Sequence, residues 1–173
     1  MAGTTLDFSA YIADRTKDFT GREWVFAEID QWLANPDLGW VFLLTGGPGS
    51  GKTAVAARLV QMSLGQVDVG PYPHLGKDSL AFYHFCRAQS DTTLNPLRFV
   101  EALSAALANR YQAFAKALLQ APHRDITVIQ NVGTAESGSH VTGVTIQSLS
   151  ISNLSARAAF DWAVRRPLEA LCT

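Results

Sequence analysis

Cysteine is scarce. Cys86 and Cys172 are the two in 173 residues, and no CxxC or CxxH spacing occurs. That argues against a disulfide framework or a cysteine-rich zinc site and fits a reducing compartment, so a cytoplasmic setting is expected. Long apolar runs are lacking as well. A run such as WVFLL, Trp40 to Leu44, is far too short to span a bilayer, and no membrane partner is expected. The N-terminal MAGTTLDFSAYIADRTKDF has no basic start followed by an apolar stretch, so it does not read as a secretory signal. Neither sign of charge accumulates: 14 Lys and Arg stand against 15 Asp and Glu, without a run of cations. Such a balance gives no electrostatic case for nucleic acid as a partner. His74, His84, His123 and His140 are widely spaced, show no ligand pattern, and read as ordinary core or surface residues.

What is present is a globular composition, 47% apolar and 17% charged, in a length that suits one domain with a real core. Residues 1–18 show no clear periodicity and are expected to form a loosely packed leader, with residues 19–173 as the domain. FTGREWVFAEIDQWLANP predicts a helix. Thr20 and Glu23 have capping-box spacing, Phe19 can staple onto Trp24, and Val25, Phe26, Ile29, Trp32 and Leu33 recur on one face. Asn35-Pro36 should end it. A strand is expected at Trp40 to Leu44, then a helix from about Lys52 to Leu64 with Val55, Leu59 and Met62 inward.

After the Gly- and Pro-rich connection Gly65 to Ser79, LAFYHFC (Leu80 to Cys86) reads as a second strand. A long helix should follow, capped by Asn95 with Pro96 first, and striped by Leu97, Val100, Leu103, Leu107, Tyr111, Phe114 and Leu118. ITVIQNV and VTGVTIQSLSI alternate as two strands joined by the loop GTAESGSH. The buried parity shifts between Val144, Ile146 and Leu149, Ile151, which predicts a bulge near Gln147-Ser148. A last helix, about Ser155 to Leu171, places Phe160, Val164, Leu168 and Leu171 on one side and should kink at Pro167. Strand-loop-helix units in series argue for an α/β layered domain.

Between the first strand and its helix lies TGGPGSGKTA. Gly46, Gly47, Pro48, Gly49, Ser50, Gly51, Lys52 and Thr53 match GxxxxGK[ST] in full, after a predicted strand and opening a helix. Glycines let successive amides turn inward to make an anion nest, and the helix adds its free N-terminal amides. The Lys52 ammonium can reach terminal phosphates, where it would act in catalysis, and the Thr53 hydroxyl can complete the shell of a Mg²⁺.

FTGREWVFAEIDQWL, LLTGGPGSGKTAVAARLV and AFYHFCRAQSDTTLNPLRFVEALSAAL together resemble the NACHT and AAA-like ATPase modules of bacterial STAND proteins. These are signal-transducing switch ATPases, often followed by WD-type repeats. The tail, GVTIQSLSISNLSARAAFDWAVRRPLEAL, is similar to the segment before the Walker B strand of that group. The resemblance covers roughly residues 19–171 by pattern. It implies an incomplete three-layer P-loop sandwich with an additional β-hairpin and C-terminal helix. It implies ATP (GTP less so) and Mg²⁺ as ligands, and an adenine-side turn at Phe19, Gly21, Arg22 and Glu23. Its partners would be the remainder of the ATPase domain and C-terminal sensor repeats.

Hydrolysis needs an apolar strand ending in Asp to hold Mg²⁺ and position water. No such sequence occurs, so binding without turnover is expected, with the chain as the N-terminal portion of a larger switch. Asp161, in AAFDWAV, sits at helical spacing and reads as a solvated or capping residue. Arg165 and Arg166 complement a helix end, and Arg87, Ser90 and Asp91 read as a solvated loop at a strand end. Two other readings compete. One is a small adenylate-kinase-like phosphotransferase, which shares the GGPGSGK loop; the other is an interaction module with a vestigial loop, against which Lys52 and Thr53 stand.

Overall fold

The segment expected to be a loose leader is a helix. Phe8, Ile12 and Thr16 recur one turn apart, and in the computed structural model all three are buried along α1 (Ser9–Thr16) and its cap. The structure describes residues 6–120, 123–131 and 145–172. They fall into two compact units, one spanning Asp7–Tyr83 and the other built mainly from His84 onwards.

In the first unit, α2 (Glu23–Ala34) and α3 (Lys52–Ser63) share a core of Val25, Phe26, Ile29, Val55, Met62 and Leu75. The predicted capping box does not form. Gly21 and Arg22 are both left-handed, so the helix starts after Arg22 and Glu23 becomes its first residue instead of its third. Thr20 therefore caps nothing. Phe19 packs on Phe26, with ring centroids 5.9 Å apart, and the expected staple partner Trp24 is exposed, as is Leu33. The helix ends as expected. The Asn35 side chain accepts from Asp37 N–H at 3.0 Å, and Pro36 opens a short 3₁₀ turn, Pro36–Leu38.

Trp40–Leu44 has the alternation of a strand: Phe42 and Leu44 pack against the core, and Val41 and Leu43 are exposed. Among the described residues, neither it nor Leu80–Cys86 belongs to a ladder, which corrects both expected strands. A strand needs a hydrogen-bonded neighbour, and these two segments do not pair with each other.

In the second unit, the Asn95 side chain caps α5 (Pro96–Arg110) by accepting from Leu97 N–H at 2.9 Å, after a single turn α4 (Asp91–Leu94). The one long helix expected here is two. Tyr111 is extended, and α6 (Gln112–Gln120) folds back so that Phe114, Ala115 and Leu118 join Val100 and Ala108 in one core. Tertiary burial outweighs the helical propensity of an uninterrupted sequence.

Strands β1 (Ile126–Asn131) and β2 (Thr145–Ile151) pair antiparallel. Ile129 lies opposite Ser148 and Gln130 opposite Ile146, so Gln147 is the extra residue of a bulge at the predicted place. The bulge lets Ile146, Leu149 and Ile151 all enter the core. Val144 and the loop GTAESGSH lie outside the described residues. Two side chains of α5 take up the backbone of β2. Glu101, buried, accepts from Ile151 N–H at 2.8 Å; Asn109 accepts from Ile146 N–H at 2.7 Å and donates to its carbonyl at 3.1 Å.

The C-terminal helix is three pieces: α7 (Ala156–Phe160), a π turn (Asp161–Arg165) and α8 (Arg166–Glu169). The extra residue of the π turn rotates the face before Pro167. Ala159, Ala163, Val164 and Pro167 are inside, and Phe160, Leu168 and Leu171, expected to be inward, are exposed. Among the described residues, no helix is long and apolar enough to cross a membrane.

Candidate phosphate-binding loop and adjoining cleft

The loop Gly46–Gly51 runs directly into the first turn of α3. Gly49 (φ +75°) and Gly51 (φ +86°) are left-handed, a conformation that favours glycine, and they re-aim the backbone at the helix start. The amides of Gly49, Gly51, Lys52 and Thr53 make no hydrogen bond among the described residues, and Gly51 offers no side-chain cap. Free donors at a helix N-terminus of twelve residues form an anion-binding arrangement. The Lys52 ammonium donates to the Gly46 carbonyl at 2.6 Å, the Gly47 carbonyl at 2.9 Å and the Ser50 hydroxyl at 3.3 Å. The lysine thus sits over its own loop, within reach of any anion bound there.

Thr53 is exposed beside Lys52 and lines a cavity of about 320 Å³ with Gly49 and Gly51. Asp14 and Arg15, from α1, complete its rim. Sequence reading missed both because α1 was taken for a leader; the one-turn recurrence of Phe8, Ile12 and Thr16 was the available signal.

The turn before α2 builds a second cleft, about 390 Å³, where Phe19, Gly21 and Phe26 meet Arg58, Met62 and Tyr72. The Arg58 guanidinium lies 4.9 Å from the centre of the Phe19 ring, and Tyr72 stacks at a tilt on Phe26, 6.1 Å between centroids. The Tyr72 hydroxyl donates to the Glu23 carbonyl at 3.0 Å. His74 ties the same loop to α2: its N–H donates to the Asp30 carboxylate at 2.8 Å, and its ring nitrogen lies 3.2 Å from the other oxygen. Two aromatic faces and one planar cation suit a flat, conjugated ring. Tyr72 stands in the connection GPYPH, where an aromatic between prolines was the missed signal.

Arg22 joins the two features. It is left-handed (φ +70°), a conformation that costs a non-glycine residue roughly 1–3 kcal/mol. Its guanidinium donates to the Ser50 carbonyl at 2.8 Å and lies so close over Gly51 that an added Cβ there would meet it at 2.7 Å. The structure thus brings Arg22 to the Gly46–Gly51 loop, and Phe19 and Gly21 to the cleft.

The other candidates lie in the second unit. The Thr93 hydroxyl accepts from Arg87 N–H at 3.0 Å and donates to the Ser90 carbonyl, so Arg87, Ser90 and Asp91 build the turn into α4. Asp161 is paired with Arg165 and Arg166, and the hydrogen bond from Arg165 is the main cause holding its carboxyl below the ordinary carboxylate range. Arg165 also bonds Glu169, and Arg166 lies over the Trp162 ring at 3.5 Å. No group of three or more metal-ligating side chains occurs among the described residues.

The family described as Nephrocystin 3, N-terminal, matches residues 21–152, well over half of the chain. The chain belongs to this family. The match begins at Gly21, includes the whole loop and α3, and ends just after β2. No curated protein and no solved structure matches the chain.

Proposed function

We propose that this chain binds a magnesium nucleoside triphosphate, ATP in preference to GTP, at Gly46 to Thr53. The observation that carries the reading is the set of amides at Gly49, Gly51, Lys52 and Thr53, unbonded among the described residues, aimed by two left-handed glycines and flanked by the Lys52 ammonium. The β- and γ-phosphates would replace the loop carbonyls as partners of Lys52. Thr53 would give Mg²⁺ one hydroxyl oxygen, the remaining ligands coming from phosphate and water. The cleft at Phe19 and Tyr72 has the chemistry for the base, reached across α3 through Arg58.

In this reading the chain contributes to an incomplete P-loop three-layer sandwich, in which Trp40–Leu44 would become a strand once another strand of the larger protein pairs with it. The alternating exposure of Val41, Phe42, Leu43 and Leu44 supports that. The wider setting is a cytoplasmic STAND- or NACHT-type switch, in which bound nucleotide stabilises one of two arrangements of a larger protein and sensor repeats bias them. Within this chain the expected activity is binding without turnover.

Calorimetric titration of the full chain with ATP and Mg²⁺ tests the assignment. Lys52→Ala should weaken binding by at least about tenfold, the worth of one charge-assisted hydrogen bond. Equal affinity in wild type and variant would overturn it.

A further inference from the structure

The resemblance of the FTGRE turn to an adenine-side element places Arg22 with the base. The geometry points elsewhere: we infer that Arg22 is a positioning residue for the phosphate loop, setting affinity for the triphosphate and not for the base. Three observations carry this. Phe19, Thr20, Gly21 and Glu23 all line the aromatic cleft, and Arg22 is the residue of that run that does not. Its left-handed backbone turns its side chain away from its neighbours' cleft. The guanidinium lands 28 residues away, donating to the Ser50 carbonyl at 2.8 Å and covering Gly51.

The chemistry follows from the peptide that Arg22 grips. The carbonyl of Ser50 and the N–H of Gly51 belong to one planar unit, so fixing the carbonyl fixes the direction of that amide. The Gly51 amide makes no hydrogen bond among the described residues and opens α3. A planar cation on the carbonyl side therefore aims a free donor into the nest. The space it fills over Gly51 gives that glycine a second reason to lack a side chain, besides its positive φ.

The inference rests on the proposed triphosphate site, and its test has an arm that does not. Arg22→Gly keeps the left-handed turn and removes the guanidinium; Arg22→Lys keeps a cation without the planar fork. Both variants of the full chain are titrated with Mg²⁺-ATP and with Mg²⁺ and inorganic triphosphate, which has no base. Arg22→Gly should weaken both ligands by the same factor, about tenfold, with Arg22→Lys recovering part of that loss for both. A loss confined to ATP, or no loss for either ligand, would overturn the inference. In ligand-free protein, the backbone order parameters of the Gly51 and Lys52 amides should fall in Arg22→Gly while those in the middle of α3 keep their values. Unchanged order at those two amides would also overturn it. If wild type binds neither ligand, the triphosphate reading fails by itself, and the order-parameter arm still decides whether Arg22 holds the loop.

Discussion

The hydroxyl of Ser104, fully buried in α5, donates at 2.7 Å to the carbonyl of Ala163 in the C-terminal helix. Ala163 lies four residues before Pro167, and proline has no N–H to return to it. The serine supplies the donor that the proline withholds, at the π turn where the helix changes register. Ser104→Ala leaves a buried carbonyl without a partner and should cost ~1–3 kcal/mol in urea unfolding. In a Pro167→Ala background, where a backbone donor returns, the same substitution should cost much less. Equal penalties in both backgrounds would remove the link between the two residues.

Asn109 works in the same manner on the hairpin. Its amide matches both the N–H and the carbonyl of Ile146, as a neighbouring strand would, directly beside the bulge at Gln147. Asn109→Leu removes both partners at once and should lower stability by about 1–3 kcal/mol. Asn109→Asp keeps the acceptor but sets an oxygen against the Ile146 carbonyl, and should melt no higher than the leucine variant.

These two contacts mark what could and could not be read from residues alone. The loop at Gly46 to Thr53, the Asn95 cap and the bulge are local rules, written in spacing and parity, and they were legible. The matched segment includes the loop, and the match says nothing of its ligand. Apart from α1, whose one-turn recurrence of Phe8, Ile12 and Thr16 was a local signal, the failures are tertiary. Nothing between Arg110 and Gln112 announces a break, because the break exists to return Phe114 to the core. The Thr20 and Glu23 spacing was a valid helix start, displaced by Gly21 and Arg22, whose left-handed turn is stabilised by a contact 28 residues away. Trp40–Leu44, without a ladder partner among the described residues, has strand composition, but pairing is a property of the neighbour.

Thr20 gives a direct check on the helix start. As a cap it would be worth about 1 kcal/mol. Exposed and outside the helix, Thr20→Ala should change stability by less than about 0.5 kcal/mol in chemical denaturation. A full cap-sized loss would return the start of α2 to Thr20.

Thr53 offers a test that tells the proposed metal contact from the proposed phosphate contacts. It is exposed at the mouth of the cavity that Lys52 also lines. If its hydroxyl completes the Mg²⁺ shell, Thr53→Ala should leave ATP affinity in EDTA close to wild type and erase most of the gain on adding Mg²⁺. Lys52→Ala should weaken binding in both conditions. Titrations with and without metal read the two effects independently, and a Thr53 variant with the full Mg²⁺ gain would take the metal away from this residue.

The segment Trp40–Leu44 carries the last prediction. Trp40 is 97% exposed, Val41 80% and Leu43 79%, with no charged residue between Asp37 and Lys52. Among the described residues, the backbone over this stretch has no ladder partner. Unpaired N–H and carbonyl groups next to exposed apolar side chains form a template for pairing with another chain, and a charge on the exposed face is the usual protection. The chain should therefore self-associate as its concentration rises in sedimentation velocity. Val41→Lys with Leu43→Lys should suppress that association. Both side chains already face solvent, so the melting temperature of the dilute protein should hardly move. A wild-type chain that stays monomeric at high concentration would show that the segment is covered in solution. A double variant that associates as before would place the contact elsewhere on the surface.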